Sequence, residues 1–85
     1  MASQKAIEDA IKSLSELEGD VTVPRNIKIK IQDIIQILND NSETSIKISK
    51  ALNELDEIAN DPNIQPYTRT NIWNVVSLLE SVLAK

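Results

Sequence analysis

The sequence predicts an all-α domain, a four-helix antiparallel bundle built from two tandem helical hairpins. The first observation is an internal repeat, because Leu14–Leu38 lies over Leu55–Leu79 without a gap when the chain is shifted by 41 residues. Repeats of about 40 residues are typical of paired helices. The second is a single glycine and three prolines in 85 residues, which favours continuous helices with few breaks. The third is the recurrence of apolar residues at three- and four-residue steps, as on the buried face of a helix.

The first copy of the repeat, about residues 3–41, is predicted to begin with a helix that ends near Glu18. Ser3 is the kind of residue that caps a helix N-terminus. Gly19 follows the last apolar position of this helix. We expect it to end the helix with a positive φ, the conformation that glycine adopts most easily.

The second helix is predicted to start with Thr22 as its cap and Pro24 in its first turn, and to run to about Asn39. The alternating segment Ile27–Ile31, IKIKI, also fits a half-buried strand. The helix is favoured because a proline marks its start and because the equivalent segment of the second copy, TRTNI, does not alternate.

The second copy, about residues 42–85, predicts two further helices, one over about residues 43–59 and one from Ile64 or Pro66 to near the C-terminus. A chain of 85 residues forms one domain, here residues 1–85. Two repeats are fewer than an open solenoid usually needs. The four apolar faces are therefore expected to close on one another, or to be covered by a second chain.

Charge and composition argue against several classes of partner. The net charge is −4 and the isoelectric point about 4.6, which speaks against nucleic acid or an anionic membrane as the main partner. The first ten residues, MASQKAIEDA, lack the apolar run of a secretion signal. We therefore expect a cytoplasmic protein without a membrane-spanning segment.

The residue types present argue against an enzyme. Histidine and cysteine are both absent, so the commonest general base and the strongest nucleophile are missing. A single glycine leaves no glycine-rich phosphate loop. We expect no catalytic residue, no cofactor and no metal ligand set.

Two pairs of carboxylates, Glu16 with Asp20 and Glu57 with Asp61, occupy equivalent positions in the two copies of the repeat. We expect Asp20 and Asp61 to cap their own loops through hydrogen bonds to nearby backbone groups. The alternative is a domain that binds a divalent cation or small ligand through these carboxylates.

The residues favoured for partner binding are Trp73, Arg69 and Tyr67, because these residue types are enriched at binding hot spots. Arg69 and Trp73 are four residues apart and could stack as a cation–π pair. The alternative is that Trp73 fills the edge of the bundle.

Ile29 lies away from the main apolar stripe of the second helix and is a fourth candidate for partner binding. Together with Ile37 or Ile46 it would form an apolar patch, and such patches mark interaction surfaces. The sequence thus favours a small, non-enzymatic helical protein-interaction module. Its partner is expected to be another protein or a second copy, so the chain would be a monomer or a homodimer.

Three motifs carry a resemblance to a known family: VPRNI at Val23–Ile27, NDP at Asn60–Pro62 and RTNIW at Arg69–Trp73. Together they resemble a family of small archaeal proteins of unknown function. The resemblance covers essentially the whole chain and implies a compact four-helix domain, with no activity attached.

Each half is also similar, more loosely, to HEAT-type helical repeats, which serve protein binding. The similarity rests on a loop aspartate followed by a basic residue in the next helix, Asp20 with Arg25 and Asp61 with Arg69. The two arginines do not occupy equivalent positions, because the residue equivalent to Arg69 is Lys28.

Overall fold

The computed structural model describes residues 2–83, with side chains from Gln4 onward. Over this range the chain forms four α-helices. They are α1 (Ala2–Glu18), α2 (Arg25–Asn39), α3 (Thr44–Ala59) and α4 (Pro66–Leu83). The predicted class is confirmed, and the segment 27–31 that could have formed a strand lies inside α2.

The helices form a closed ring in which each packs against two neighbours. Within the described range α1 packs against α2 and α4, and α3 packs against the same two helices, whereas the diagonal pairs do not meet. The connections at 19–24, 40–43 and 60–65 are short, which makes successive helices antiparallel. The radius of gyration is 12.0 Å, as expected for a single closed domain of this length at about 12 Å. The apolar faces therefore cover one another within one chain.

Most buried side chains come in pairs that are 41 positions apart. They are Ile7/Ile48, Ala10/Ala51, Leu14/Leu55, Leu17/Ile58, Val23/Ile64, Ile27/Thr68, Ile31/Ile72, Ile34/Val75 and Leu38/Leu79. All belong to one continuous core except the threonine, which is the one polar member. The two hairpins thus direct equivalent positions to the interior.

The expected positive φ at Gly19 is wrong. No described residue has a positive φ, and the amide of Gly19 continues the helical pattern by donating to the Ser15 carbonyl at 3.2 Å. A Cβ at this position would lie 3.7 Å from the Glu16 carbonyl oxygen and 3.8 Å from that of Ser15. Asn60, the equivalent residue after α3, is right-handed as well, with φ −88° and ψ −1°. Both hairpins leave their first helix in a conformation that any residue adopts.

The predicted N-terminal caps also need correction. Because α1 begins at Ala2, Ser3 lies inside its first turn. Pro24, and not Thr22, is the N-cap of α2, with φ −58° and ψ 147° and no side-chain cap bond. The amide and hydroxyl of Thr22 are both used within the loop, where they donate to Asp20.

Thr68 is the weak point of this core. Its side chain is 1% exposed, and its hydroxyl oxygen has no hydrogen-bond partner among the described residues. We expect Thr68→Val to raise the free energy of unfolding by about 1–2 kcal/mol, because a methyl group removes the cost of burying an unpaired hydroxyl. Urea denaturation measures this change, and Thr70→Val on the exposed side of α4 is the control, with almost no change expected. A loss of stability in Thr68→Val would mean that the hydroxyl has a partner in solution.

Candidate functional site

The fourth helix differs from the other three in its lack of charge. Between Pro66 and Leu83 the only ionisable charges are those of Arg69 and Glu80, whereas the exposed sides of α1, α2 and α3 carry charged residues throughout. A helix surface with so few charges is unusual on a chain with a net charge of −4. This contrast singles out α4.

Five of the exposed, uncharged side chains on the solvent-facing side of α4 form a surface that we call the α4 outer face. They are Tyr67, Thr70, Trp73, Asn74 and Ser77. At 100° per residue these positions form one continuous stripe opposite the buried stripe of the same helix. Tyr67 is 66% exposed and Trp73 is 44% exposed, and they are the only tyrosine and tryptophan of the chain. Two of the four residues favoured for partner binding therefore lie on one surface.

Arg69 is directed elsewhere. It is partly buried, its Nε donates to the Ala59 carbonyl at 2.9 Å, and one of its Nη atoms donates to the Asp61 carbonyl at 3.1 Å. These acceptors belong to the last residue of α3 and to the loop that follows, where helical carbonyls lack partners within the helix. The guanidinium group therefore fastens α4 to the end of α3, and these donors are used inside the chain.

Ile29 is exposed but lies on a different side of the bundle. It is 51% exposed on α2, the helix diagonal to α4 in the ring. Ile46 is 45% exposed in the first turn of α3, which lies at the opposite end of the bundle from the start of α2. Ile37 is half-buried and packs against the core. These isoleucines do not form one continuous patch, and Ile29 does not extend the α4 outer face.

The loop carboxylates bond to their own loops. Oδ1 of Asp20 accepts hydrogen bonds from the Thr22 amide at 2.8 Å and the Thr22 hydroxyl at 2.7 Å, and Oδ1 of Asp61 accepts one from the Asn63 amide at 2.8 Å. The bonds from the Thr22 amide and hydroxyl lower the pKa of Asp20 below its ordinary value of 3.8, and the positive charge of Lys28 acts in the same direction. Across residues 2–83, no group of three or more acidic, histidine or cysteine side chains is placed to hold a metal ion.

Two of the depressions in the described part of the structure lie between neighbouring helices. The wider is an open groove of about 490 Å³ between α2 and α3, lined by Asp33, Gln36, Ile37, Asp40 and Glu54. The smaller, which we call the α1–α4 cleft, has a volume of about 70 Å³ and is lined by Ser13, Glu16, Leu17, Asp20, Tyr67 and Asn71. Glu16, Asp20 and Tyr67 were singled out in the sequence, but their meeting across two helices was not.

The α4 outer face contains three residues that the sequence reasoning missed, Thr70, Asn74 and Ser77. The sequence does contain a signal for this face, because no charged residue occurs between Arg69 and Glu80. Within the described range no helix is both long enough and apolar enough to cross a bilayer, so the lack of charge on α4 does not make it a membrane span.

Comparison with known proteins relates the whole domain to one family. The model of the family described as "Uncharacterised protein family (UPF0147)" matches residues 1–82. A UPF0147 protein of Sulfurisphaera tokodaii is 41% identical over 81 residues, which cover 94% of this chain and 91% of the relative. A UPF0147 protein of Methanocaldococcus jannaschii is 41% identical over 86 residues, covering 95% and 92%.

Two crystal structures have the same fold. One is a UPF0147 protein from Thermoplasma acidophilum, with a TM-score of 0.91 and 33% identity over 95% of this chain and 96% of that one. The other is a protein of unknown function, with a TM-score of 0.85 and 35% identity over 89% and 88%. The resemblance to small archaeal proteins of unknown function is thereby confirmed. The looser similarity to HEAT-type repeats stays a prediction.

Proposed function

This chain belongs to the uncharacterised protein family UPF0147, and we propose that it acts as a small, non-enzymatic protein-interaction module. The partner that its surface fits best is a second copy of the chain. The contact is made by the α4 outer face, packed against the same face of the other copy around a twofold axis.

The observation that carries this proposal is the composition of the α4 outer face. Interface centres are depleted in charged residues and enriched in tyrosine and tryptophan, and large aromatic side chains supply most of the binding energy where they are buried. The α4 outer face combines both properties, because it is uncharged and presents Tyr67 and Trp73 to solvent.

The charge of the chain decides which of its surfaces a second copy could contact. Two chains of net charge −4 repel each other, and placing like charges opposite one another across an interface costs free energy. On a twofold axis every residue near the axis meets its own copy. The five residues of the α4 outer face include no carboxylate, so self-contact confined to them brings no carboxylate against a carboxylate.

The size of this face predicts a weak dimer. From Tyr67 to Ser77 it is about 15 Å long at 1.5 Å per residue, and a helix with its side chains is about 10 Å wide. The area buried is then below the range of stable interfaces, about 1,200–2,000 Å² in total. We therefore expect a dissociation constant of roughly 0.1–1 mM, about 4–5.5 kcal/mol of binding free energy.

Sedimentation equilibrium from about 20 μM to 2 mM tests the proposal, with two variants that each replace an amide by a carboxylate. Asn74→Asp puts one negative charge on the α4 outer face, and Gln32→Glu puts one on α2, diagonal to α4. We expect Asn74→Asp to weaken the dimer about tenfold at low salt, a change of about 1.4 kcal/mol, with partial recovery in 1 M NaCl. Gln32→Glu should dimerise as the unmodified chain does.

A chain that stays monomeric at 2 mM would overturn self-association and leave the α4 outer face for a different protein. Equal weakening by both variants would also contradict the proposal, because it would trace the effect to net charge and not to the α4 outer face.

A further inference from the structure

We propose that the first half of α2 docks an acidic, amphipathic segment of a different protein, in which carboxylates surround an apolar side chain. The contact surface, which we call the α2 basic face, consists of Arg25, Lys28, Ile29 and Lys30. It belongs to the helix diagonal to α4 in the ring, so it is separate from the α4 outer face. The proposal goes beyond self-association and does not depend on it.

The α2 basic face is a positively charged surface on an acidic chain. Between Arg25 and Asn39 the helix carries three cationic side chains and one carboxylate, that of Asp33, whereas the whole chain has a net charge of −4. Of the four described helices, α2 is the one whose positively charged side chains outnumber its negatively charged ones. Because complementary charges select partners and speed their association, this surface favours an acidic partner.

The three cations of the α2 basic face are not used inside the described part of the chain. There, the ion pair within 4.0 Å joins Lys5 and Asp9, and the hydrogen bonds from cationic side chains come from Lys47 and Arg69. Lys28 is the residue 41 positions before Arg69, but it makes no described bond to the end of its neighbouring helix. Its ammonium group is therefore able to bind a carboxylate from outside.

Ile29 places an apolar side chain among these cations. It is 51% exposed and lies one helical turn after Arg25, with Lys28 and Lys30 about 100° to either side. Lysine stems cover neighbouring apolar surface while their charged ends stay in water. A partner that supplied only negative charge would leave Ile29 in water, whereas an amphipathic segment removes it from water.

The internal repeat shows that the fold does not require this surface. Three of the four positions of the α2 basic face are occupied by uncharged residues in α4. They are Pro66, Thr70 and Asn71, which lie 41 positions after Arg25, Ile29 and Lys30. The same shift relates the buried residues of α2 to buried residues of α4, so both helices build the same core. The α2 basic face is thus a property of the surface and does not follow from the core pattern.

Two other classes of partner fit this surface less well. A nucleic acid would meet three cations without an aromatic side chain on α2, and the net charge of −4 opposes its approach. A second copy would need carboxylates around an exposed apolar residue. Yet α1, the helix with the most carboxylates, exposes no large hydrophobic residue among its described side chains, and the exposed Ile46 of α3 lies beside Lys47.

A peptide titration tests the proposal. The ¹⁵N-labelled protein is kept at about 20 μM, where the proposed dimer is largely dissociated. The probe is an acetylated peptide with the 15-residue length of α2, in which leucines at helical spacing are separated by glutamates. We expect saturable shifts of the backbone amides of Arg25–Lys30. The dissociation constant should be roughly 0.1–1 mM, because the contact is smaller than the stable interfaces of about 1,200–2,000 Å².

Variants at exposed positions separate the apolar contribution from the charge contribution. Ile29→Ala should weaken binding about fivefold, because most of the apolar contact is lost, whereas Thr70→Ala at the equivalent position of α4 should retain it. Arg25→Met should weaken binding about threefold at low salt. Lys5→Met removes the same charge at the other end of the bundle and should leave binding unchanged. Asp33→Asn should tighten binding about twofold, since it removes the one carboxylate of α2.

Two altered peptides and one nucleic acid serve as further controls. The peptide with every glutamate replaced by glutamine tests the need for charge, and the peptide with every leucine replaced by serine tests the need for an apolar face. Both should bind more weakly than the acidic amphipathic peptide. Oligothymidylate of the same length should leave the amides of α2 unshifted.

The proposal is overturned if the shifts do not saturate, if they map outside the α2 basic face, or if Ile29→Ala and Thr70→Ala bind equally well. Binding of oligothymidylate as tight as that of the peptide would assign the surface to nucleic acid. Shifts of the α2 amides on dilution of the protein alone would assign it to a second copy, and either result overturns the proposal. A failure here leaves the sedimentation result untouched, since that result concerns the α4 outer face.

Discussion

Ile31→Ala should lower the free energy of unfolding by about 2–5 kcal/mol, whereas Ile29→Ala, two residues away on the same helix, should change it by less than about 0.5 kcal/mol. Ile31 is fully buried and Ile29 is 51% exposed. Removing a buried isoleucine side chain loses its transfer free energy and leaves a cavity. At an exposed helix position, alanine is the better helix former and little packing is lost.

Urea denaturation followed by circular dichroism measures both changes, and a constant slope against urea confirms that the same transition is compared. The pair tests the helix itself, because a strand with a period of two would place both isoleucines on one face. Similar losses in the two variants would contradict the packing of α2.

Arg69→Met should lower the free energy of unfolding by roughly 2 kcal/mol. The variant keeps an unbranched side chain and a good helix former but removes the donors to the Ala59 and Asp61 carbonyls. Hydrogen bonds from a charged group contribute about 1.5–3 kcal/mol when the site is shielded, and Arg69 is partly buried. The loss should be visible in urea denaturation and as faster amide hydrogen exchange in the last turn of α3.

Arg25→Met is the matched control for Arg69→Met. Arg25 is exposed in the first turn of α2, and no side-chain hydrogen bond of Arg25 occurs in the described structure. We expect almost no change in stability from this variant. A small effect of Arg69→Met, matching that of Arg25→Met, would show that the bonds to the end of α3 contribute little in solution.

The helices could be predicted from the sequence because their signals are local. The third helix was expected over about residues 43–59 and occupies Thr44–Ala59. It was predictable because the spacing of its apolar residues and the turn before it are both visible in a short, continuous stretch of sequence. The prediction of a positive φ at Gly19 also relied on a local signal, and it was wrong. Glycine permits a positive φ but does not require one, and the loop closes with right-handed backbone instead.

The sites were harder to predict because they join distant parts of the chain. The carbonyls bound by Arg69 lie eight and ten residues earlier, in the last residue of α3 and in the loop that follows. The sequence suggested a pairing of Arg69 with Trp73 and an association with Asp61, but not these bonds to the backbone. The α1–α4 cleft joins Glu16 to Asn71 across the last closure of the ring. On the α4 outer face, Tyr67 and Trp73 were singled out from the sequence, but Thr70, Asn74 and Ser77 were overlooked because they are marked only by an absence of charge, which forms no motif.

The closed ring has a consequence for the order in which the helices are connected. Because α4 runs antiparallel to α1 and packs against it, Leu83 and Ala2 lie at the same end of the bundle, the end that also carries the 40–43 connection. A peptide bridge between those two residues, combined with a new break within 40–43, would give the order α3–α4–α1–α2 around an unaltered core. The four helices thus form a cyclic arrangement, and the native order of the helices is one of several chain orders that could build the same ring.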